Sequence, residues 1–194
     1  MLIYHGTAAK YLPKILDHGL MPRGRRKGNW KHSVDSRNDC VYLTTAYAPY
    51  FGMCATTGKN PIMLIEMETD YMDEELLLPD EDFLEQATRT RKDMEPHGWN
   101  TTSRTEWFRE RLPEFQHHWM DSVKHMGTCC HQGGIDVAAI TRAVTWRPME
   151  HPNLAMEALD PSISIMNYRF CGDKYRELTA KLFELGTPVL EFNE

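Results

Sequence analysis

Three groups of residues in this chain combine types and spacings that can do chemistry. The first is a pair of segments. Tyr4-His5-Gly6-Thr7 is followed by Ile15-Leu16-Asp17-His18-Gly19-Leu20-Met21-Pro22, and Val41-Tyr42-Leu43-Thr44-Thr45 is followed by Ala46 and a helix-prone stretch. Alone, His5 reads as a satisfied strand-end histidine and Tyr42 as a core aromatic; their pairing singles them out. The second group is the loop Pro22 to His32, where Arg23, Arg25, Arg26, Lys27 and Lys31 surround Trp30 with no acid among them. Cations track phosphates and an aromatic ring stacks on a base, so this loop suits a nucleotide or nucleic acid. The third group is His117, His118, His125, Cys129, Cys130 and His131. Zinc sites prefer separated pairs such as CxxC or HxxxH, and here the cysteines are adjacent, so no metal is expected. No GxGxxG follows a strand and no P-loop is present, so the two common nucleotide fingerprints are missing.

The elements that must position these groups follow from the pattern. Met1 to Tyr4 is a β-prone run, and Thr7 is placed to cap a helix carrying Tyr11, Leu12, Ile15 and Leu16. Pro13 falls in its first turns, and Gly19 supplies a left-handed stop. Cys40 to Thr44 predicts a strand, Ala46 to Thr57 a short helix ending at Gly58, and Ile62 to Met67 a buried strand. Residues 70–82 read as an acidic connection. Residues 83–121 predict one or two amphipathic helices with Trp107, Phe108, Leu112, Phe115 and Trp119 inward. Gly127 to Gly134 reads as irregular. Ile135 to Trp146 reads as one or two strands, and Ile163, Ile165 and Tyr168 as strand-like. Asp173 to Leu185 reads as a last helix. The order is not a regular βαβ alternation, which points to α+β.

The two segments built on His5 and Tyr42 resemble the ADP-ribosyltransferase superfamily. There a strand ending His-Gly-Thr precedes a helix ending Gly-Leu-x-Pro, and a later strand reads Val-Tyr-Leu-Thr. The likeness is to bacterial and phage mono-ADP-ribosyltransferase toxins and to the rifampin ADP-ribosyltransferases. It covers residues 1–80, and 127–146 more loosely. The resemblance implies two packed small β-sheets forming an NAD cleft, in one domain over 1–194 with a helical insertion at about 83–126. It implies that Gly6 lets backbone groups approach the nicotinamide amide, that His5 holds the adjacent ribose, and that Tyr42 stacks on the ring. His5, Gly6, Thr7, Tyr42 and Arg23 would contact NAD. Arg25, Arg26, Lys27, Trp30 and Lys31 would meet the acceptor. Breaking the glycosidic bond builds positive charge on the ribose, which a carboxylate stabilises. Asp136 is the candidate for that carboxylate and Gln132 its rival, where many relatives carry Glu.

The implied function is transfer of ADP-ribose from NAD to a nucleic acid, RNA before DNA, or to a protein. The setting would be a toxin with a cognate antitoxin or a phage-defence system. Two other readings stand beside it. One is an NAD-dependent RNA 2′-phosphotransferase of the same fold. The other is a non-catalytic binder, which the missing Glu favours.

Composition sets the outer limits. Lys plus Arg is 22, Asp plus Glu 28, and the net charge is −6, which argues against non-specific coating of nucleic acid. The sum is uneven. Residues 66–85 hold many acids and no Lys or Arg, so the remaining chain is net positive. That acidic stretch reads as a partner-binding face. The five cysteines lack regular spacing, which suggests reduced thiols and a cytoplasmic protein. The N-terminus does not read as a signal peptide, and no apolar run approaches the roughly 20 residues that span a bilayer, so no membrane partner is expected.

Overall fold

A computed structural model describes residues 1–24, 36–56, 58, 60–89, 91–93, 95–97, 101–160 and 168–191. Its strands are β1 (Leu2–Ala8), β2 (Cys40–Thr44), β3 (Ile62–Glu68), β4 (Leu77–Pro79), β5 (Thr128–Gln132), β6 (Ile140–Trp146) and β7 (Thr187–Glu191). Its α-helices are α1 (Leu12–His18), α2 (Ala48–Thr56), α3 (Glu81–Thr88), α4 (Thr101–Phe115), α5 (Trp119–Met126), α6 (Pro152–Ala158) and α7 (Tyr168–Leu185). The class is α+β. The strands form one antiparallel sheet in the order β4-β5-β2-β1-β3-β6-β7.

This corrects the expectation of two small sheets, and the register explains the difference. β1 pairs with β3 along its whole length, from Leu2↔Glu68 to Ala8↔Ile62. β1 meets β2 only at Tyr4↔Thr44. Two well-paired halves are thus joined at one residue pair. Beyond it β1 and β2 part, leaving their facing edges without a continuous ladder.

The alternation of side chains sends successive residues to opposite faces. Ile3, Val41, Leu43, Met63, Ile65, Met67 and Cys129 share one cluster, with Ile15 of α1 and with Trp119 and Val123 of α5. On the other face Ile62, Leu64, Val144 and Trp146 pack with Met53 of α2 and with Tyr175, Leu178, Leu182 and Phe183 of α7. Each face is covered because each residue type recurs at the period of its element.

Thr44 fixes the end of β2. Its buried hydroxyl donates to the Gly127 carbonyl at 2.7 Å and accepts from the backbone N–H groups of Ala46 and Tyr47 at 3.1 and 2.9 Å. The Thr45 N–H donates to the same Gly127 carbonyl. Gly127 ends α5 with φ 70°, and the Tyr168 ring lies against it. The strand, the following helix and the α5–β5 turn are therefore tied through one side chain.

Several local expectations change. Thr7 lies inside β1 and caps nothing; α1 starts after Tyr11 without a side-chain cap, and Pro13 stands in its first turn. Gly19 does supply the positive-φ stop. Residues 127–134 hold β5, because Cys129 and Cys130 each bury on opposite faces. The acidic connection contains β4 and the start of α3, where Leu77, Leu78 and Glu81 are buried, so it is not simply an exposed acidic face. Tyr168 opens α7 rather than a strand, with Cys171, Tyr175 and Leu178 continuing a helical stripe. Ile163 and Ile165 lie outside the described residues. Among the described residues no helix is long and apolar enough to cross a membrane.

Gly6 has a packing role of its own. A Cβ there would collide with the Ala48 carbonyl and stand 2.8 Å from the Gly52 nitrogen, both backbone atoms of α2. Gly6→Ala should therefore cost about 3 kcal/mol of stability or more, because α2 must move off β1. Urea denaturation checks this; a variant as stable as the wild type would contradict the close approach.

Candidate functional site

His5 stands on β1 where β2 turns away. Its Nδ1 lies 2.8 Å from the Tyr42 carbonyl oxygen. A carbonyl only accepts, so Nδ1 carries the proton and Nε2 keeps its lone pair. Burial pushes the imidazole pKa down, against the carbonyl, which raises it. The ring is therefore a neutral acceptor at Nε2 near pH 7. The single side-chain bond across the parting strands is thus made by the residue that the sequence singled out first.

Tyr42, and Leu112 of α4, each pack against the buried cluster of Cys40, Leu78 and Cys130. Its phenol donates to Glu81 Oε2 at 2.7 Å and accepts from the Arg37 backbone N–H at 2.6 Å. The same Arg37 N–H lies 3.3 Å from Glu81 Oε1. Glu81 is the first residue of α3, and Asp80 caps that helix by accepting from the Asp82 N–H at 2.9 Å. The Asp80 N–H donates to Ser122 Oγ, which donates to the Thr128 carbonyl. The position of Glu81 is thereby locked to α5 and β5.

Glu81 is 6% exposed. Burial, aided by the nearby Asp80 charge, pushes its pKa up to about 8, although Tyr42 and Arg37 oppose the shift. Burial together with the Glu81 charge likewise raises the Tyr42 phenol well above its ordinary value. A carboxyl held close to neutrality beside a phenol can exchange a proton near physiological pH.

Arg37 leads outward from this pair. Its guanidinium is gripped by Asp39, with Nε–Oδ1 at 3.0 Å and Nη2–Oδ2 at 2.7 Å. The arginine holds the Asp39 carboxyl down at about 2. Gln132 donates from Nε2 to Asp39 Oδ2 at 3.1 Å. A cleft of about 350 Å³ is lined by Arg37, Asn38, Asp39, Arg109 and Leu112. A smaller hollow shares Arg37, Arg109 and Leu112 with it and reaches Glu81 and Phe108.

The chain matches no protein family's sequence profile and no curated protein. The site is read from its own chemistry.

The expected residues distribute unevenly around it. His5 and Tyr42 come together, but through the Tyr42 backbone; the phenol itself belongs to Glu81. Asp136 is exposed and accepts from the Ala138 N–H at 2.8 Å, capping a 3-10 turn. Among the described residues no contact joins it to His5 or Tyr42. Gln132 reaches the site only through Asp39. Arg23 donates from Nη2 to the Ser36 carbonyl at 2.5 Å, and the Gly24 N–H bonds the Asn38 carbonyl, so Arg23 pins the ends of the basic loop. Arg25, Arg26, Lys27, Trp30 and Lys31 lie outside the described residues. No group of three His, Cys, Asp or Glu among the described residues is placed to hold a metal.

Glu81, Arg37, Asp39 and Arg109 are the residues that sequence reasoning missed. The signal for Glu81 was present in Leu76-Leu77-Leu78-Pro79-Asp80-Glu81-Asp82, an apolar run leading into an Asp cap with acids in the first helical turn.

The raised Glu81 pKa has a consequence for stability. Between the ordinary glutamate value of 4.5 and about 8, the folded chain keeps a proton that the unfolded chain has released. The stability this provides is complete below the ordinary value and is lost as pH rises through about 8. Glu81→Gln should gain on the wild type as pH rises over that window, on the order of 1 kcal/mol per pH unit. Urea titrations at several pH values test it; a pH-independent difference would contradict the buried neutral acid.

Proposed function

We propose that the chain is an NAD-dependent mono-ADP-ribosyltransferase. Its acceptor is a nucleic acid, RNA before DNA, or a protein. One observation carries the reading: where β1 and β2 part, Tyr42 of β2 is bonded through its carbonyl to His5 of β1 and through its phenol to the buried Glu81 of α3. Glu81 replaces Asp136 as the carboxylate of this reading.

The residues present suit the donor. Arg37 Nη1 is buried without a hydrogen-bond partner among the described residues, a donor available to an anion beside the carboxyl. When bound, NAD supplies a ribose whose bond to nicotinamide breaks with positive charge building on the sugar. His5 Nε2 accepts from a ribose hydroxyl and sets the orientation of the sugar. Glu81, once ionised, places negative charge next to that developing cation, in a setting poor in water where charge acts strongly. Tyr42 holds the Glu81 carboxyl in place through its phenol. The Arg37 N–H, bonded to both, keeps the pair in register.

Wild type incubated with labelled NAD and a cell lysate should transfer label, and sensitivity to ribonuclease, deoxyribonuclease or protease identifies the acceptor class. Glu81→Gln should lower the transfer rate about 10²–10³-fold while remaining folded. Because the ionised carboxyl is the active form, the wild-type rate should climb as pH approaches about 8 and then level. Absence of NAD cleavage by the wild type, or a Glu81→Gln variant of full activity, would refute the assignment.

A further inference from the structure

Arg37 is held at both ends. Its backbone N–H serves the Tyr42 phenol and Glu81, and its guanidinium is bonded to Asp39. A guanidinium presents its N–H groups in a rigid planar fork. The Asp39 carboxylate takes the Nε and Nη2 edge of that fork, at 3.0 and 2.7 Å. Two parallel bonds fix the orientation of the group, which a single bond would leave free to turn. The direction of the third nitrogen, Nη1, is therefore set by Asp39. The Arg37 side chain is 13% exposed and that of Asp39 47%, so the carboxylate grips from the solvent side and leaves Nη1 inward. Nη1 is buried and has no hydrogen-bond partner among the described residues. A buried donor without an acceptor is costly, so a clamp that holds one in place points to a ligand that accepts from it. Asp39 is itself immobilised from the end of β5. Gln132 Nε2 donates at 3.1 Å to Oδ2, the oxygen that also takes Nη2, and the Gly133 N–H donates to the Asp39 backbone carbonyl at 2.7 Å. The arginine holds the Asp39 carboxyl down at about 2, so the clamp stays charged wherever Glu81 titrates.

We propose that Asp39 and Gln132 are positioning residues, a clamp that turns Arg37 Nη1 toward a phosphate oxygen of the donor. The proposal rests on the transferase reading above. Among the described residues no side-chain bond joins Asp39 or Gln132 to Tyr42 or Glu81, so both act on the site through Arg37. Gln132 thus stands behind the arginine and not on the ribose. The donor's phosphates lie away from the bond that breaks, so the grip on them is the same before and during the reaction. Such uniform binding lowers KM and leaves kcat unchanged. The clamp is thereby distinguishable from Glu81, whose charge acts at the breaking bond.

The test uses the full chain and compares wild type with Asp39→Asn, Gln132→Ala, Arg37→Gln and the double variant Asp39→Asn/Arg37→Gln. Calorimetry gives the Kd for NAD, and NAD cleavage gives KM and kcat. Asp39→Asn keeps one acceptor oxygen and loses the two-point grip, so Kd and KM should rise about tenfold. Its kcat should stay within about twofold of the wild type. Gln132→Ala should move Kd in the same direction, about threefold. In the Arg37→Gln background Asp39→Asn should add nothing, because its effect passes through the arginine. A merely structural role would carry over into that background and would not separate KM from kcat. Unchanged NAD affinity in Asp39→Asn, or a loss that persists in full beside Arg37→Gln, would overturn the clamp. A wild type that binds NAD without cleaving it refutes the transferase reading alone, and the binding data still decide the clamp. A wild type that binds no NAD overturns both.

Discussion

Everything about the candidate site depends on the way β1 and β2 part after one residue pair. Two antiparallel strands normally satisfy each other's backbone groups along their full length. Here Tyr4↔Thr44 is the only rung, and a side chain takes over where the ladder stops: the His5 imidazole donates to the Tyr42 carbonyl. The rigid partners on either side make this possible. β3 holds β1 from one end to the other, and β5 holds β2 from Cys40↔Gln132 to Thr44↔Thr128. Each half of the sheet is therefore sound without the other, and the fork between them persists without fraying either strand.

The second constraint is the burial of a carboxyl. An ionised glutamate taken from water is costly unless it is paired, and Glu81 has a phenol and a backbone N–H but, among the described residues, no cationic side chain bonded to it. The structure resolves this by raising the pKa rather than by adding a counter-ion. Holding the acid there requires support from elements far apart in sequence. Asp80 caps α3, Ser122 of α5 holds Asp80, and Thr128 of β5 holds Ser122. The helices of residues 81–126 thus do more than cover the sheet. They bring the carboxyl to Tyr42 and add Arg109 and Leu112 to the neighbouring cleft.

Much of the fold was legible because local patterns were strong. β2 and β3 are apolar runs with turn residues on both sides, and Gly19 and Gly58 mark stops that the structure keeps at positive φ. His5 and Tyr42 were legible as a pair because their flanking residues made a recognisable pattern. The partner of Tyr42 was not. Glu81 sits among other acids in sequence, and nothing local separates a buried carboxyl from a solvated one. Its burial is decided by α4 and α5, whose docking is a tertiary event. β5 was missed for a similar reason: Thr-Cys-Cys-His-Gln has no strong strand preference, and it becomes a strand because β2 and β4 pair on both sides. Asp136 looked suitable by position alone, yet it caps a turn, a common use of Asp where a 3-10 helix begins.

The bond between the Gly24 N–H and the Asn38 carbonyl, with Arg23 reaching the Ser36 carbonyl, closes the chain on itself before it enters β2. These two bonds also fix where Arg37 stands, one residue beyond Ser36 and one before Asn38. The backbone N–H that the Tyr42 phenol and Glu81 both use is thus set from outside the sheet, by Arg23 and Gly24.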